Sequence, residues 1–295
     1  MTDAAQPLRD LQPEHDFFVG IDSDGCAFDT MEIKHKECFT PNIIKHFKLQ
    51  AVSKYAREAE EFVNLYSKWR GINRWPALVM VFDLLRERPE VRARNVAIPE
   101  ATAIRRWMEI ETKLGNPALA AAVAASGDPE LKQALTWSEA VNATISDMVE
   151  GVPPFPYVRE SLAKLQPVAD VVVVSATPGE ALQREWDEHD IAQYVRVIAG
   201  QEMGTKQEHL ALAAKGKYAA DKTLMIGDAP GDRKAGKANG TLFFPIVPGR
   251  EEQSWQRFCE EALERFLGGT YAGAYEAQLI DEFEASLPEM PPWRR

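Results

Sequence analysis

The chain contains little cysteine, no long apolar run and no excess of basic residues, and each absence excludes a class of protein. Its three cysteines form no Cys-x-x-Cys pair, which argues against a disulfide framework and indicates a reducing compartment. No apolar run approaches the roughly 20 residues that span a bilayer, and the polar N-terminal stretch predicts no signal peptide. The formal net charge of −11 disfavours a nucleic-acid partner. We expect a cytoplasmic monomer or homodimer with neither a nucleic-acid nor a membrane partner.

The chain does contain enough apolar material for a large core. Of its 295 residues, 45% are hydrophobic and 27% are charged, which is ordinary for one large or two medium-sized globular domains. After residue 151, the β-branched run "VADVVVV" is followed by alternating helical and strand patterns up to residue 247. Such alternation predicts a parallel sheet with helices on both faces.

Residues 32 to about 150, by contrast, show almost entirely helical patterns. The predicted fold class is therefore α/β: a Rossmann-like three-layer parallel sheet core with an inserted α-helical domain. We assign residues 1–32 and 151–250 to the core and residues 33–150 to the helical insertion. Residues 251–295 are predicted to form a helical extension that packs on the core.

Polar side chains follow the predicted strands at the points where the strands end. The first strand runs into "DSDG", the valine-rich strand into "SAT" and a later strand into "GDAPGD". In a parallel sheet these ends lie at one edge, where ligands bind. The side chains brought to that edge, together with a lysine at the start of a predicted helix, are Asp22, Asp24, Ser175, Lys206, Asp228 and Asp232.

Four carboxylates in one cleft would repel one another unless a cation lay between them. An all-oxygen set of ligands suits a hard ion such as Mg²⁺. A magnesium ion with open coordination positions would take a phosphate oxygen, and Lys206 and the Ser175 hydroxyl would hold the others. The sequence therefore predicts a phosphoryl-transfer site with Mg²⁺ as cofactor.

Four segments resemble, in order and spacing, the four motifs of the haloacid dehalogenase-like superfamily. They read "DSDGCAFDT", "VVVVSAT", "TKQEHLALAAKG" and "MIGDAPGDRKAG". The resemblance covers roughly residues 16–247. Within the superfamily, the chain is similar to the branch that contains phosphoglycolate phosphatase and β-phosphoglucomutase. The helical insertion between the first two motifs looks like the superfamily's C1-type cap.

The resemblance implies a role for each catalytic position. Asp22 would be the nucleophile that forms an aspartyl-phosphate. Asp24 would protonate the leaving oxygen and later activate water. Ser175 and Ala176 would bind the phosphoryl oxygens, and Lys206 would neutralise charge on the nucleophile and the phosphoryl group.

The resemblance also implies a metal site. Asp22, Asp228 and the backbone carbonyl of Asp24 would bind Mg²⁺, and Asp232 would support either the metal or the lysine. Two features depart from the family pattern. Cys26 stands where threonine or valine is usual, and "PG" between the last two acids is less usual. The second departure puts the loop that presents Asp232 in doubt.

Structural roles compete with these functional ones. Ser175 could be a helix N-cap, and the last two acids of the set could cap the helix that follows them. Lys215 and Lys217 are rivals of Lys206 for the place of the active-site lysine.

Within the insertion, "SKWRGINRWPAL" places Arg70 and Arg74 on either side of a turn. These arginines could contact an anionic substrate and set specificity. Alternatively, Gly71 ends a helix and both arginines lie on the surface.

The leading hypothesis is a Mg²⁺-dependent phosphohydrolase that acts on a small phosphorylated metabolite through an aspartyl-phosphate. A phosphomutase of the same fold would use the same core. An alternative from another functional class is a non-catalytic binding protein that has kept the fold. The complete acid set argues against it, since a protein without catalysis has no chemical reason to keep four carboxylates together.

Overall fold

The computed structural model describes residues 3–294, and the chain divides into two compact units. The first runs up to Met31 and resumes over Gly151–Leu287, and we call it the α/β unit. The second, the helical unit, comprises Glu32–Glu150 and the residues from Pro288 onward. The predicted insertion lies within the helical unit. The predicted C-terminal extension is divided between the units, because Leu287 is buried in the first and Trp293 packs on the core of the second.

The α/β unit contains a five-stranded parallel sheet in the order β3-β2-β1-β4-β5. Its strands are β1 Phe17–Ile21, β2 Ala169–Val174, β3 Val197–Ala199, β4 Thr223–Gly227 and β5 Leu242–Pro245. Every residue of β2 is buried, as expected for a strand covered on both faces. The prediction of a parallel α/β core with a helical insertion is confirmed.

Helices cover both faces of the sheet. Side chains alternate along each strand, so Val19 and Ile21 lie in one core while Phe18 lies in the other. The helical segments of this unit are Gln6–Asp10, Val158–Leu165, Gly179–Glu188, Lys206–Ala213, Pro230–Ala238, Glu251–Arg257, Phe258–Ala262 (a π-helical turn), Leu263–Leu267 and Ala274–Ser286.

The register of the central strands brings their carboxyl ends together. Ile21 of β1 pairs with Val173 of β2 on one side and with Ile226 of β4 on the other. The turns that follow these three strands therefore leave the sheet at the same edge. The acids and the serine predicted from the sequence as site residues follow these strands at this edge.

The helical segments between Glu251 and Leu267 add to the core on one face of the sheet. The apolar stripe of Trp255, Phe258, Ala262 and Phe266 is buried in the same cluster as the β1 side chains. The Trp255 indole N–H donates to the backbone carbonyl of Cys26 at 2.7 Å. That hydrogen bond ties this segment to the loop that follows β1.

The helical unit has a separate core built around tryptophan and phenylalanine. Trp75 packs edge-to-face on Trp107 and Trp137, with ring centroids 5.5 and 5.8 Å apart. Its helical segments are Lys34–Phe39 (π-helical), Thr40–His46, Ser53–Asn64, Arg74–Glu87, Pro89–Arg92, Thr102–Ile110, Asn116–Ser126 and Pro129–Met148, preceded by Thr30–Ile33 at the junction of the units. Within residues 3–294, no helix has the length and apolarity needed to cross a membrane.

Candidate active site

The turn after β1 fixes the position of Asp22. Its backbone N–H donates to the Ile226 carbonyl at 3.0 Å, so the sheet ladder continues one residue beyond the strand. Its side-chain Oδ1 accepts from the Ser23 N–H at 2.8 Å. Gly25 then adopts a positive φ of 73°, a conformation that suits glycine, and its N–H donates to the Phe28 carbonyl at 2.8 Å. Asp22 is thus held by backbone on a tight turn and is only 4% exposed.

Lys206 joins two of the acids. Thr205 caps the helix Lys206–Ala213 in a capping box with Glu208, which fixes the lysine at the first helical position. The Lys206 ammonium lies 2.7 Å from Asp22 Oδ2 and 2.6 Å from Asp232 Oδ1. Its side chain is 20% exposed, so the ion pairs are largely shielded from water.

The rival lysines have other environments. The Lys217 ammonium donates to the backbone carbonyls of Leu8, Arg9 and Leu11 at 2.8–3.0 Å. It therefore anchors the N-terminal segment. Lys215 is exposed. Among the three lysines weighed from the sequence, Lys206 is the one that the structure places against the acids.

The turn after β4 presents the other two acids. Asp228 is 1% exposed and Asp232 is fully buried. Pro230 begins the helix Pro230–Ala238, where a proline is compatible with the first turn. Asp232 Oδ2 accepts from the Ala229 N–H at 3.0 Å, so the less usual Pro-Gly pair still leads into a loop that directs this acid inward.

Close packing in this turn requires a glycine at position 227. A Cβ atom there would lie 2.4 Å from the Asp232 Cβ, well inside van der Waals contact. The missing side chain of Gly227 is therefore what lets Asp232 approach the end of β4.

Three acids converge in this cluster. Carboxylate oxygens of Asp22, Asp228 and Asp232 all lie within 4.8 Å of one another, and the Lys206 ammonium contacts two of these acids. Burial raises the pKa of Asp22 well above its usual value, repulsion from the two other acids adds to this, and Lys206 opposes it. Burial alone would lower the pKa of Lys206, but attraction to Asp22 and Asp232 outweighs that effect and raises it. A buried set of three oxygen ligands fits a hard divalent cation.

Asp24 lies apart from that cluster and is held by two hydroxyl groups. The Thr177 hydroxyl donates to its Oδ2 at 2.6 Å, and the Thr30 hydroxyl donates to its Oδ1. The side chain is half-buried. Its carboxyl group is thereby oriented by residues from two different segments of the α/β unit.

Ser175 follows β2 at the same edge of the sheet. It is 2% exposed, its N–H donates to the Ala199 carbonyl at 3.0 Å, and its hydroxyl oxygen accepts from the Thr177 N–H at 3.2 Å. The helix that follows has Pro178 at its N-cap and no side-chain cap, so the alternative role of Ser175 as a helix cap is wrong. The neighbouring Ala176 is exposed.

The two arginines of the helical unit lie in different surroundings. Gly71 has a φ of 76° and forms a turn, but Arg70 is only 3% exposed and donates to the Leu65 carbonyl at 2.9 Å. The alternative in which Arg70 lies on the surface is therefore wrong. Arg74 is half-buried and begins a helix.

Arg74 is held by polar groups and by an aromatic ring. Its Nη1 donates to the Ser138 hydroxyl at 2.7 Å and to Asn142 Oδ1 at 2.8 Å, and the guanidinium lies 5.2 Å from the centroid of the Phe39 ring. Burial lowers its pKa to about 10. Neither arginine is joined by these contacts to a substrate site, so their role in specificity stays a prediction.

Two titratable residues beside the site are fully buried. The Cys26 thiol is fully buried, burial raises its pKa well above the usual value, and the sulfur lies 3.7 Å from the Ile226 carbonyl oxygen. His209, one helical turn after Lys206, is also fully buried, and burial together with the nearby ammonium lowers its pKa to about 4. It is therefore neutral at pH 7.

Sequence reasoning missed the two threonines that hold Asp24. Thr177 stands within the "SAT" motif, but a threonine after a strand is a common turn residue and its partner is 153 residues away. Only the adjacency of β1 and β2 reveals the contact. Thr30 stands at the start of a helix, and nothing in the local pattern pointed to it.

Residues 103–246, just under half of the chain, match the family model of the haloacid dehalogenase-like hydrolases. This range includes the motifs that carry Ser175, Lys206, Asp228 and Asp232. The first motif, with the opening pair of acids, lies before it and joins the other three at the sheet edge. Over this range the chain is similar to the haloacid dehalogenase-like hydrolases. Comparison with curated proteins finds no match.

Several solved structures resemble this chain at low identity. A subfamily IA hydrolase of this superfamily from Geobacter sulfurreducens is 16% identical, covers 80% of this chain and 90% of its own, and has a TM-score of 0.41. A protein described as a predicted phosphoglycolate phosphatase, from Haemophilus somnus, is 14% identical, with 79% and 86% covered and a TM-score of 0.44. A haloacid dehalogenase-like family protein from Streptococcus pneumoniae is 14% identical, with 81% and 90% covered and a TM-score of 0.40.

Proposed function

We propose that this protein is a Mg²⁺-dependent phosphohydrolase that acts on a small phosphorylated metabolite through an aspartyl-phosphate intermediate. The observation that carries the proposal is the contact of Lys206 with Asp22 in a buried cluster of acids at the carboxyl edge of a parallel sheet. A carboxylate beside a fixed ammonium, on a turn held by backbone hydrogen bonds, is arranged as a nucleophile. The match of residues 103–246 to the family model of the haloacid dehalogenase-like hydrolases supports the same reaction class.

The residues present fit a magnesium ion. Asp22 and Asp228 would hold it, with the backbone carbonyl of Asp24 as a further ligand. Both oxygens of Asp232 already accept hydrogen bonds, from Lys206 and from the Ala229 N–H, which favours its role as the support of the lysine. When bound, the ion would neutralise charge on the acids and on the phosphoryl oxygens.

Four residues of the chain would carry the first half-reaction. A carboxylate oxygen of Asp22 attacks phosphorus, and the bond from phosphorus to the substrate oxygen breaks. The leaving oxygen takes the proton of the Asp24 carboxyl group. Lys206 stabilises the negative charge that builds up on the phosphoryl oxygens, together with the Ser175 hydroxyl.

The second half-reaction returns the enzyme to its starting state. The Asp24 carboxylate takes a proton from water as the water oxygen attacks phosphorus. The bond from phosphorus to Asp22 breaks, and inorganic phosphate leaves. Asp24 thus serves as an acid first and as a base second. Oligomeric state, a cytoplasmic location and the role of Arg70 and Arg74 in specificity stay predictions.

The test is hydrolysis of 4-nitrophenyl phosphate by the purified protein. We expect activity with Mg²⁺, its loss in excess chelator and its return when Mg²⁺ is added back. Full activity in chelator would contradict the metal role. If instead the phosphorylated protein persists for minutes in water and discharges only when a phosphosugar is added, the phosphomutase alternative is correct.

A further inference from the structure

Thr177 contacts both the candidate acid/base and the candidate phosphate-binding hydroxyl. Its side-chain hydroxyl donates to Asp24 Oδ2 at 2.6 Å, and its backbone N–H donates to the Ser175 hydroxyl oxygen at 3.2 Å. Its carbonyl accepts from the Gln201 N–H at 3.0 Å, which fixes the backbone of the turn. One residue therefore links two groups whose separation must match the geometry of a phosphate ester.

The Thr177 hydroxyl does not cap the helix that follows it. Threonine after a strand often caps the next helix, but the helix Gly179–Glu188 has Pro178 at its N-cap and no side-chain cap. The hydroxyl reaches across from the β2 turn to the β1 turn. Threonine is also stiff at χ1, so once its backbone is fixed, its hydroxyl is directed with little loss of freedom.

We propose that Thr177 is a positioning residue that orients the Asp24 carboxyl group for proton transfer to the leaving oxygen. This inference rests on the proposed phosphohydrolase function. As the Asp24 proton passes to the leaving oxygen, the carboxyl group becomes a carboxylate, and hydrogen bonds to ionised groups are the stronger kind. The Thr177 hydroxyl therefore donates to a better acceptor in the transition state than in the ground state, which is the condition for a contribution to rate.

This role predicts a dependence on the leaving group. The ester of a strongly acidic phenol loses its leaving group without help, and the ester of a weakly acidic phenol needs the proton from Asp24. Phenyl phosphate and 4-nitrophenyl phosphate share a ring and differ in this respect. Since kcat/KM reports the steps up to departure of the leaving group, it isolates the half-reaction in which Asp24 is the acid.

The variant that tests the inference is Thr177→Val, which removes the hydroxyl and keeps the branched shape, with Thr177→Ser as its matched control. We expect Thr177→Val to lower kcat/KM for phenyl phosphate roughly 10- to 100-fold and for 4-nitrophenyl phosphate less than about threefold. Thr177→Ser should restore both values to near those of the parent. If Thr177→Val does not fold, Thr177→Ala takes its place.

Three results would overturn the inference while the proposed function stands. They are an equal loss for both esters, no loss for either, and a folded Thr177→Ser variant that does not recover. A parent protein that hydrolyses neither ester with Mg²⁺ would overturn the proposed function itself, and the inference with it. Melting temperatures of all variants, measured in parallel, separate a folding defect from a catalytic one.

Discussion

Replacing Lys206 with methionine removes one positive charge and keeps a side chain of similar length. In the parent, the ammonium lies 2.7 Å from Asp22 and 2.6 Å from Asp232, and both carboxylates are almost fully buried. The variant would remove this ammonium from two buried carboxylates. Removing one partner of a buried ion pair costs about 3–5 kcal/mol, which for a unit of this size corresponds to a fall in melting temperature of roughly 6–20 °C.

The sign of the pH dependence follows from the pKa of Asp22. Burial and repulsion from its acidic neighbours already raise this pKa above the value in an unfolded chain, and loss of the lysine would raise it further. A carboxyl group with a raised pKa in the folded state destabilises the fold when it is ionised, and this cost disappears as the pH falls through that pKa. The stability deficit of Lys206→Met should therefore be largest above neutrality and should shrink as the pH falls.

The assay is thermal unfolding of parent and variant in chelator across a pH series, repeated with Mg²⁺. We expect Mg²⁺ to restore part of the lost stability, and hydrolysis of an aryl phosphate to fall by at least roughly 10²-fold. Lys215→Met, at an exposed lysine of the same region, is the control and should change neither property. A Lys206→Met protein that is as stable as the parent in chelator at neutral pH, and as active as the parent with Mg²⁺, would refute the electrostatic reasoning.

Two further substitutions test other parts of the site. Asp24→Ala should slow both half-reactions by roughly 10²–10⁴-fold, measured as rates of phenol and phosphate release after rapid mixing; release of both products at the parental rate would exclude Asp24 as acid and base. Gly227→Ala should displace Asp232, because the new Cβ would lie 2.4 Å from the Asp232 Cβ, and should cost about 1–3 kcal/mol in urea unfolding. Gly231→Ala, where a Cβ meets no atom within 4 Å, is the control for Gly227→Ala. Equal stability of Gly227→Ala and Gly231→Ala would show that the turn adapts to the added methyl group.

The strands were predictable because their sequences carry a strong local signal. The run of buried β-branched residues in β2 is typical of a strand covered on both faces, and it was located to within a residue or two. The segment "VRVIAG" at residues 195–200 favours a strand over its whole length, but the edge strand β3 spans only Val197–Ala199, because it pairs with β2 alone. The local sequence pattern cannot show where the hydrogen-bond ladder of an edge strand ends.

The chemistry of the site was predictable where residue type and strand ends coincide. Asp22, Ser175 and Asp228 each follow a strand directly, so parallel topology alone brings them to one edge. The choice of Lys206 over Lys217 needed the tertiary structure, because both lie near the same helix in sequence. Only the packing shows that Lys217 binds backbone carbonyls instead.

The contacts that hold Asp24 could not be predicted, for a related physical reason. Hydrogen bonds between side chains far apart in sequence depend on which strands are neighbours, and a sequence of alternating strands and helices leaves that order open. The burial of Arg70 was missed because a charged residue beside a glycine turn is usually exposed.

The central claim is that Asp22 accepts the phosphoryl group. Rapid acid quench of the protein with a ³²P-labelled ester and Mg²⁺, followed by peptide mapping, tests it most directly. We predict transient label on the peptide that contains Asp22, released by hydroxylamine as expected for an acyl phosphate, and absent from a folded Asp22→Asn variant whose turnover falls by at least roughly 10³-fold. Rapid turnover with label on another residue, or an Asp22→Asn variant that is as active as the parent, would contradict the account.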